Sequence, residues 1–136
     1  MAHNRPVHFE IHADDPERAA KFYSNVFGWN ISKWDNPAME YWMVMTGKAE
    51  TGDKWPGIDG GLLRRKGPRP AADGPVNGYV NTMTVPNFDE TAGKVAQNGG
   101  EVALPKFSLA GMGWLGYFKD TEGNIFGVME ETTSAK

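Results

Sequence analysis

The chain has no cysteine among its 136 residues, which removes thiolate nucleophiles, thiolate metal sites and disulfides together. That suits a reducing compartment. The start, Met1-Ala-His-Asn-Arg-Pro6, runs into a strand-like segment with no apolar signal region, so a cytoplasmic protein is expected. No apolar run approaches the roughly 20 residues that span a bilayer, and no membrane partner is expected. An excess of positive charge is missing too. Fourteen Lys and Arg against seventeen Asp and Glu leave a net charge of −3, with both signs mixed along the chain. A protein that grips nucleic acid carries a basic face, and none is visible. GxSxG, Walker, dinucleotide, HExxH and EF-hand patterns are also absent. What is present is apolar mass: 40% hydrophobic residues with five Trp, seven Phe and four Tyr. That supports a packed interior, and the length suits one domain with its own core.

Val7, Phe9 and Ile11 alternate with His8, Glu10 and His12, the period of a half-buried strand. Asp15-Pro16 supplies a cap followed by proline at the first helical position. Ala19, Phe22, Tyr23 and Val26 then fall at i, i+3, i+4 and i+7, one face of an amphipathic helix. Gly28 ends it. The same grammar returns from Tyr79: a strand to Val85, Asn87 as a cap with Glu90 three residues on, Phe88, Ala92, Val95 and Ala96 at helical spacing, and Gly99-Gly100. One offset of 72 carries His8 onto Val80, Asp15 onto Asn87 and Gly28 onto Gly100, which points to internal duplication. Three strand candidates follow each helix: Trp29–Trp34, Glu40–Thr46 and Ile58–Arg64, then Glu101–Leu104, Trp114–Lys119 and Ile125–Glu130. The last strands overlay at an offset of 66, so the first copy carries six extra residues (72 − 66) within Gly47–Gly57, which includes Trp55-Pro56. Asp120–Asn124 reads as a hairpin turn.

The expectation is a single α+β domain over 1–136. It has two βαβββ repeats, 7–64 and 79–131, joined by a linker at 65–78, and a curved mixed sheet around a pocket. A helix covers one face of each sheet, and the other face needs a partner or a ligand. His8, Glu10 and His12 of the first copy and Val80, Thr82 and Thr84 of the second would line that wall.

Asp15-Pro-Glu-Arg-Ala-Ala-Lys-Phe-Tyr23 leading to Val26-Phe-Gly-Trp29, and Gly113-Trp-Leu-Gly-Tyr-Phe-Lys-Asp120 followed by Glu122-Gly-Asn124, resemble the vicinal oxygen chelate superfamily. That group includes glyoxalase I, the bleomycin- and fosfomycin-resistance proteins and the extradiol dioxygenases, and the likeness runs from about Val7 to Glu131. It implies this fold and a small-molecule ligand, and family habit with open sheet edges implies a homodimer. Metal-dependent members place a ligand on the first and last strand of each unit. By the resemblance these positions are His8, Val80, Gly127, and Gly60 or Gly61, so His8 stands alone where about three protein ligands are needed. No cofactor is expected, although His8, Glu10 and His12 on one strand also offer a divalent-metal set.

His8 and Glu10 are the candidate catalytic pair for proton transfer; a satisfied polar pair beside bound water is the alternative. Trp42, Trp114, Tyr117 and Gly127 join His12, Val80 and Thr82 as pocket candidates. Trp114 and Tyr117 are three apart, so a regular strand turns only one of them inward. Gly60-Gly61 either admits a ligand or a closer backbone approach, or marks a bulge. Leu109–Gly113 around Met112 resembles a flap or a plain connector. Two functions stand: a glyoxalase-like lyase or isomerase on a small carbonyl or oxygenated substrate, and a non-catalytic sequestration protein of the antibiotic-resistance type.

Overall fold

The computed structural model describes residues 7–47, 56–74, 79–132, 134 and 135; Trp55 and the last part of the expected linker lie outside these. The chain divides into two compact units, Met1–Pro68 and Arg69–Lys136. The first contains β1 (Phe9–Ala13), α1 (Pro16–Phe27), β2 (Asn30–Lys33), β3 (Trp42–Met45) and β4 (Gly60–Arg64). The second contains β5 (Thr82–Thr84), α2 (Phe88–Gln97), β6 (Glu101–Leu109), β7 (Gly113–Lys119) and β8 (Ile125–Glu131). Each unit builds a four-stranded sheet, in the orders β1-β4-β3-β2 and β5-β8-β7-β6. The first and last strands pair parallel in each, and the remaining pairs are antiparallel. The class is α+β. Among the described residues no helix is long and apolar enough to cross a membrane.

Local chemistry sets the helices. Asp15 accepts from the Arg18 backbone N–H at 3.2 Å and Pro16 opens α1. Gly28 closes it at φ 75°, donating to the Ser24 carbonyl at 2.9 Å. The expected stripe of Ala19, Phe22, Tyr23 and Val26 is buried, each large member contributing about 1.5–3 kcal/mol. Tyr23 stacks on Trp29 with ring centres 5.2 Å apart. In α2, Asn87 accepts from Glu90 N–H at 2.9 Å. Here the structure departs from the repeat overlay. The buried stripe is Phe88, Thr91 and Val95 rather than Phe88, Ala92, Val95 and Ala96. The left-handed closing glycine is Gly99 at φ 89°, not Gly100. Gly100 N–H reaches the Val95 carbonyl (2.8 Å) and Gly99 N–H the Ala96 carbonyl (3.3 Å), the paired bonds of a Schellman end. Two glycines in succession let α2 stop two residues earlier than α1 does.

The register carries the duplication. Glu10 pairs with Gly61 and Thr82 with Gly127, positions related by the offsets of 72 and 66. In the first sheet Ile11, Leu62, Trp42 and Val44 are buried on the face shared with Phe9. Glu10, His12, Met43 and Met45 alternate onto the open face and are exposed. Val7, expected with the core, precedes β1 and is exposed. In the second sheet Phe118, Phe126 and Val128 form the buried face, against Phe88 of α2, whose ring centre is 5.8 Å from that of Phe118.

One connector is tighter than expected and one is as expected. β6 runs on to Leu109 and pairs Leu109 with Gly113, so the glycine-rich stretch is a tight hairpin turn. Met112 N–H donates to the Leu109 carbonyl at 2.8 Å, with Gly111 at φ 76°. Pro105 sits in this edge strand, where a missing N–H is tolerated. At the other hairpin, Asp120 Oδ1 accepts from the N–H groups of Glu122 (2.8 Å) and Asn124 (2.9 Å).

Candidate functional site

The open face of the first sheet gathers the chemistry. Glu10 on β1, Gly61 on β4 and Met43 on β3 form one row across the sheet. Gly61 has no side chain, and the gap is filled: an added Cβ would lie 1.7 Å from the Tyr41 hydroxyl oxygen and 2.0 Å from its Cζ. The Tyr41 ring therefore lies directly over Gly61. Gly60, one residue earlier, serves the other face, where an added Cβ would lie 2.3 Å from the Phe9 carbonyl oxygen and 2.8 Å from its ring. Neither glycine is a bulge, because both stay in register with β1 and β3.

Tyr41 joins the two residues proposed from sequence as a proton-transfer pair. Its hydroxyl donates to Glu10 Oε2 at 2.9 Å, and His8 Nε2 lies 2.8 Å from the Tyr41 hydroxyl oxygen. A hydroxyl has one proton. With that proton on Glu10, the phenol oxygen accepts from His8, so the imidazole carries its proton on Nε2. His8 and Glu10 themselves are 4.0 Å apart. Tyr41 is only 7% exposed. Burial, then the hydrogen bond to Glu10 and the charge of that carboxylate, pushes its hydroxyl up to about 12. The phenol therefore stays a neutral donor across the physiological range.

Around this polar floor stands an apolar rim. Glu10, Trp34, Met39, Tyr41 and Met43 line an open pocket of about 360 Å³. Trp34, Met39 and Met43 remain 42%, 45% and 39% exposed. The β2–β3 hairpin sets the rim. Trp34 N–H donates to the Tyr41 carbonyl at 2.8 Å, and a turn closes between Met39 N–H and the Asn36 carbonyl at 3.2 Å. The Asn36 side chain accepts from Ala38 N–H at 2.9 Å, the local bond that makes Asn-Pro a turn former. Trp34 meets Tyr41 edge-on, with ring centres 6.4 Å apart. Arg64 grips Glu40 beside this hairpin with bonds of 3.0 and 3.2 Å, and the guanidinium holds the Glu40 carboxyl below its ordinary value.

The sequence candidates sort by face. His8 and Glu10 come together through Tyr41. His12 is exposed two residues beyond Glu10, and its carbonyl accepts from Arg65 at 3.0 Å. Trp42 is buried on the core face, with Lys33 Nζ 5.3 Å from its ring centre, and does not line the pocket. In the second unit, Thr82, Gly127 and Tyr117 share one row of the open face. A Cβ at Gly127 would lie 2.6 Å from Thr82 Oγ1 and 3.2 Å from Tyr117 Cε1. Trp114 takes the opposite face, under Lys106 Nζ at 4.7 Å. Glu130, level with Trp114 on that side, accepts from Phe88 N–H at 2.7 Å and caps α2. Val80 is half-buried ahead of β5.

Sequence reasoning passed over Tyr41, Trp34, Met39 and Met43. The signal was the glycine pair: glycines opening a buried strand leave a hole that some large neighbour fills.

The donor set does not fit a catalytic divalent metal. Such an ion takes about three protein ligands. Here His8 and Glu10 are bridged by a phenol, and the last-strand positions are Gly61, overlain by Tyr41, and Gly127, crowded by Thr82 and Tyr117. Among the described residues no three His, Cys, Asp or Glu converge.

Comparison with known proteins agrees with the fold. Residues 5–47 match the family model of the bleomycin resistance protein-like N-terminal region. A glyoxylase-like domain-containing protein of Didymella fabae is 32% identical over 129 residues, covering 94% of each chain. A glyoxalase-related enzyme from Fulvimarina pelagi superposes with a TM-score of 0.66 at 18% identity, covering 94% of this chain and 88% of that one. The genomically encoded fosfomycin resistance protein of Listeria monocytogenes also reaches 0.66, at 14% identity and 96% of both chains. The two structural likenesses establish the fold alone.

Proposed function

The chain belongs to the vicinal oxygen chelate superfamily, among its glyoxalase- and bleomycin-resistance-like proteins, and on that footing we propose that it binds and holds a small organic molecule on the open face of its first sheet. The observation that carries this reading is the pocket itself: Trp34, Met39 and Met43 stand uncovered around a floor where Tyr41 donates to one oxygen of Glu10. Apolar side chains left in water gain most from a ligand that covers them, since burial is worth about 25 cal/mol per Å². Flexible thioethers adapt to varied shapes.

Holding without conversion is a reading with a direct test. A bound ligand at one hundred times its Kd should raise unfolding free energy by about 2.7 kcal/mol, and should be recovered chemically unchanged. A ligand recovered as a new product would overturn sequestration. It would favour the second reading, a lyase- or isomerase-type enzyme on a small carbonyl or oxygenated substrate. One feature supports that alternative: the unbroken His8–Tyr41–Glu10 chain, which can pass a proton between two titratable groups. In that case Glu10→Gln and His8→Phe should each abolish turnover in a folded protein, and unchanged rates would reject it.

A cytoplasmic homodimer completes the proposal. Each sheet has two edge strands, β1 and β2 in the first and β5 and β6 in the second, and open edges invite pairing. A monomeric sedimentation profile would remove the dimer.

A further inference from the structure

Resting on the small-molecule-binding reading, we infer that the ligand class of the Glu10–Tyr41 pocket is a flat aromatic cation. The pocket's donors and acceptors point that way. Of its five lining residues, only Glu10 carries a charge, and none is cationic. The Tyr41 proton is directed to Glu10 Oε2, and the Tyr41 oxygen faces His8 Nε2. Both roles of the hydroxyl are thus used within the protein. What the floor presents to an incoming molecule is the rest of the carboxylate, whose two oxygens accept about four hydrogen bonds and donate none.

An anion arriving here would meet a carboxylate, with no cationic side chain among the lining residues to offset it. A neutral acceptor would have only the Trp34 indole N–H on the rim to reach for. A cation, or a polarised N–H group, meets the acceptor it needs in a charge-assisted bond. The glutamate side chain is 42% exposed, so it is reachable without rearrangement. The rim adds the shape. Trp34 is the exposed aromatic of the rim, 42% open, and indole is the strongest partner for a cation held over a ring. Met39 and Met43 add thioethers, which favour contact with aromatic rings. At about 360 Å³ the pocket sits at the small end of ligand sites, which run from roughly 300 to 1,000 Å³. A fused two- or three-ring system is of the size to occupy that space.

The test uses one ring system in three charge states on the full-length protein: proflavine as the cation, acridine as the neutral molecule at mildly alkaline pH, and acridine-9-carboxylate as the anion. Fluorescence titration should give the order proflavine, acridine, carboxylate, with about a tenfold step between the first two. Glu10→Gln keeps an acceptor for Tyr41, so the fold should persist. It should erase the proflavine advantage while leaving acridine affinity within about twofold. Glu17→Gln, a charge loss on α1, should leave all three affinities unchanged. If the three dyes bind alike, or if Glu10→Gln leaves the cation preference intact, the cation assignment falls while small-molecule binding stands. The assignment falls likewise if Glu17→Gln weakens proflavine as much as Glu10→Gln does. If acridine and proflavine both fail to bind, the assignment and the binding reading fall together.

Discussion

Replacing Gly61 with alanine tests the seat of Tyr41, on which the whole site depends. A Cβ at that position would sit 1.7 Å from the Tyr41 hydroxyl oxygen, 2.0 Å from Cζ and 2.4 Å from Cε1. No rotation of a planar ring relieves three contacts of that kind, so the ring must leave the sheet. Its departure breaks the bonds to Glu10 (2.9 Å) and His8 (2.8 Å), worth about 1 kcal/mol net because both partners are open to water. It also returns most of a buried aromatic ring to solvent, costing about 1.5–2.5 kcal/mol. Gly61→Ala should therefore destabilise the protein by about 2–4 kcal/mol. In a Tyr41→Ala background the obstruction is gone. There the same change should be neutral or stabilising by about 0.5 kcal/mol, since glycine in a strand costs entropy. The double-mutant cycle, read by urea denaturation, should thus show a coupling of at least about 2 kcal/mol. An equal cost of Gly61→Ala in both backgrounds would refute the packing of Tyr41 on Gly61, and with it the placement of the ring.

Gly60→Ala should be worse than Gly61→Ala and should not be relieved by Tyr41→Ala, because its Cβ meets a backbone oxygen, that of Phe9, at 2.3 Å; a milder effect in chemical denaturation would count against the β1–β4 geometry. The Tyr41 hydroxyl, raised from 10.0 to about 12 chiefly by burial, should stabilise the fold fully below about pH 10. That contribution drains away as pH rises towards about 12, and amounts to about 1–2 kcal/mol after discounting the full linkage value for solvent at the pocket. The stability difference between wild type and Tyr41→Phe should shrink over that window, and a flat difference would contradict it. Glu130→Ala should cost about 1 kcal/mol and loosen the start of α2 in hydrogen exchange, since its carboxylate caps Phe88 N–H at 2.7 Å; unaltered exchange at Phe88 would show the cap to be dispensable.

Much of the fold was legible because its signals are local. Asp15, Pro16, Gly28 and Asn87 act through neighbours a few residues away, and strand alternation at His8–Ala13 needs no knowledge of the partner strand. The duplication was legible for the same reason, since both offsets reappear in the pairing of Glu10 with Gly61 and Thr82 with Gly127. The site was legible only in half. His8 and Glu10 follow from one strand. Tyr41 depends on a register between β3 and β4, which sequence does not display. Trp42 illustrates the difficulty: adjacent aromatics on one strand face opposite sides, and choosing between Tyr41 and Trp42 requires knowing which side the helix covers. The end of α2 escaped for another reason. With Gly99 and Gly100 both able to adopt a left-handed turn, the choice fell to the carbonyls of Val95 and Ala96.

The two units share a backbone plan and divide the chemistry unequally. In each, a last-strand glycine has a tyrosine near it, but from different positions: Tyr41, just ahead of β3, lies over Gly61, whereas Tyr117 is the residue in register with Gly127, a place that Met43 holds opposite Gly61. In each, the first strand supplies the residue paired with that glycine, Glu10 in one and Thr82 in the other. The duplication thus preserved the glycine and its first-strand partner position, while the tyrosine beside the glycine comes from a different register position in each unit. Over Gly61 the phenol meets a carboxylate and an imidazole; over Gly127 the residue opposite is a hydroxyl, with half-buried Val80 two positions earlier in place of the histidine. Only the first arrangement concentrates charge at an apolar rim. The last-strand positions that the resemblance would give to metal ligands are in this chain glycines that accept neighbouring side chains, and over Gly61 the effect is to hold Tyr41 against Glu10, the carboxylate of the proposed ligand site.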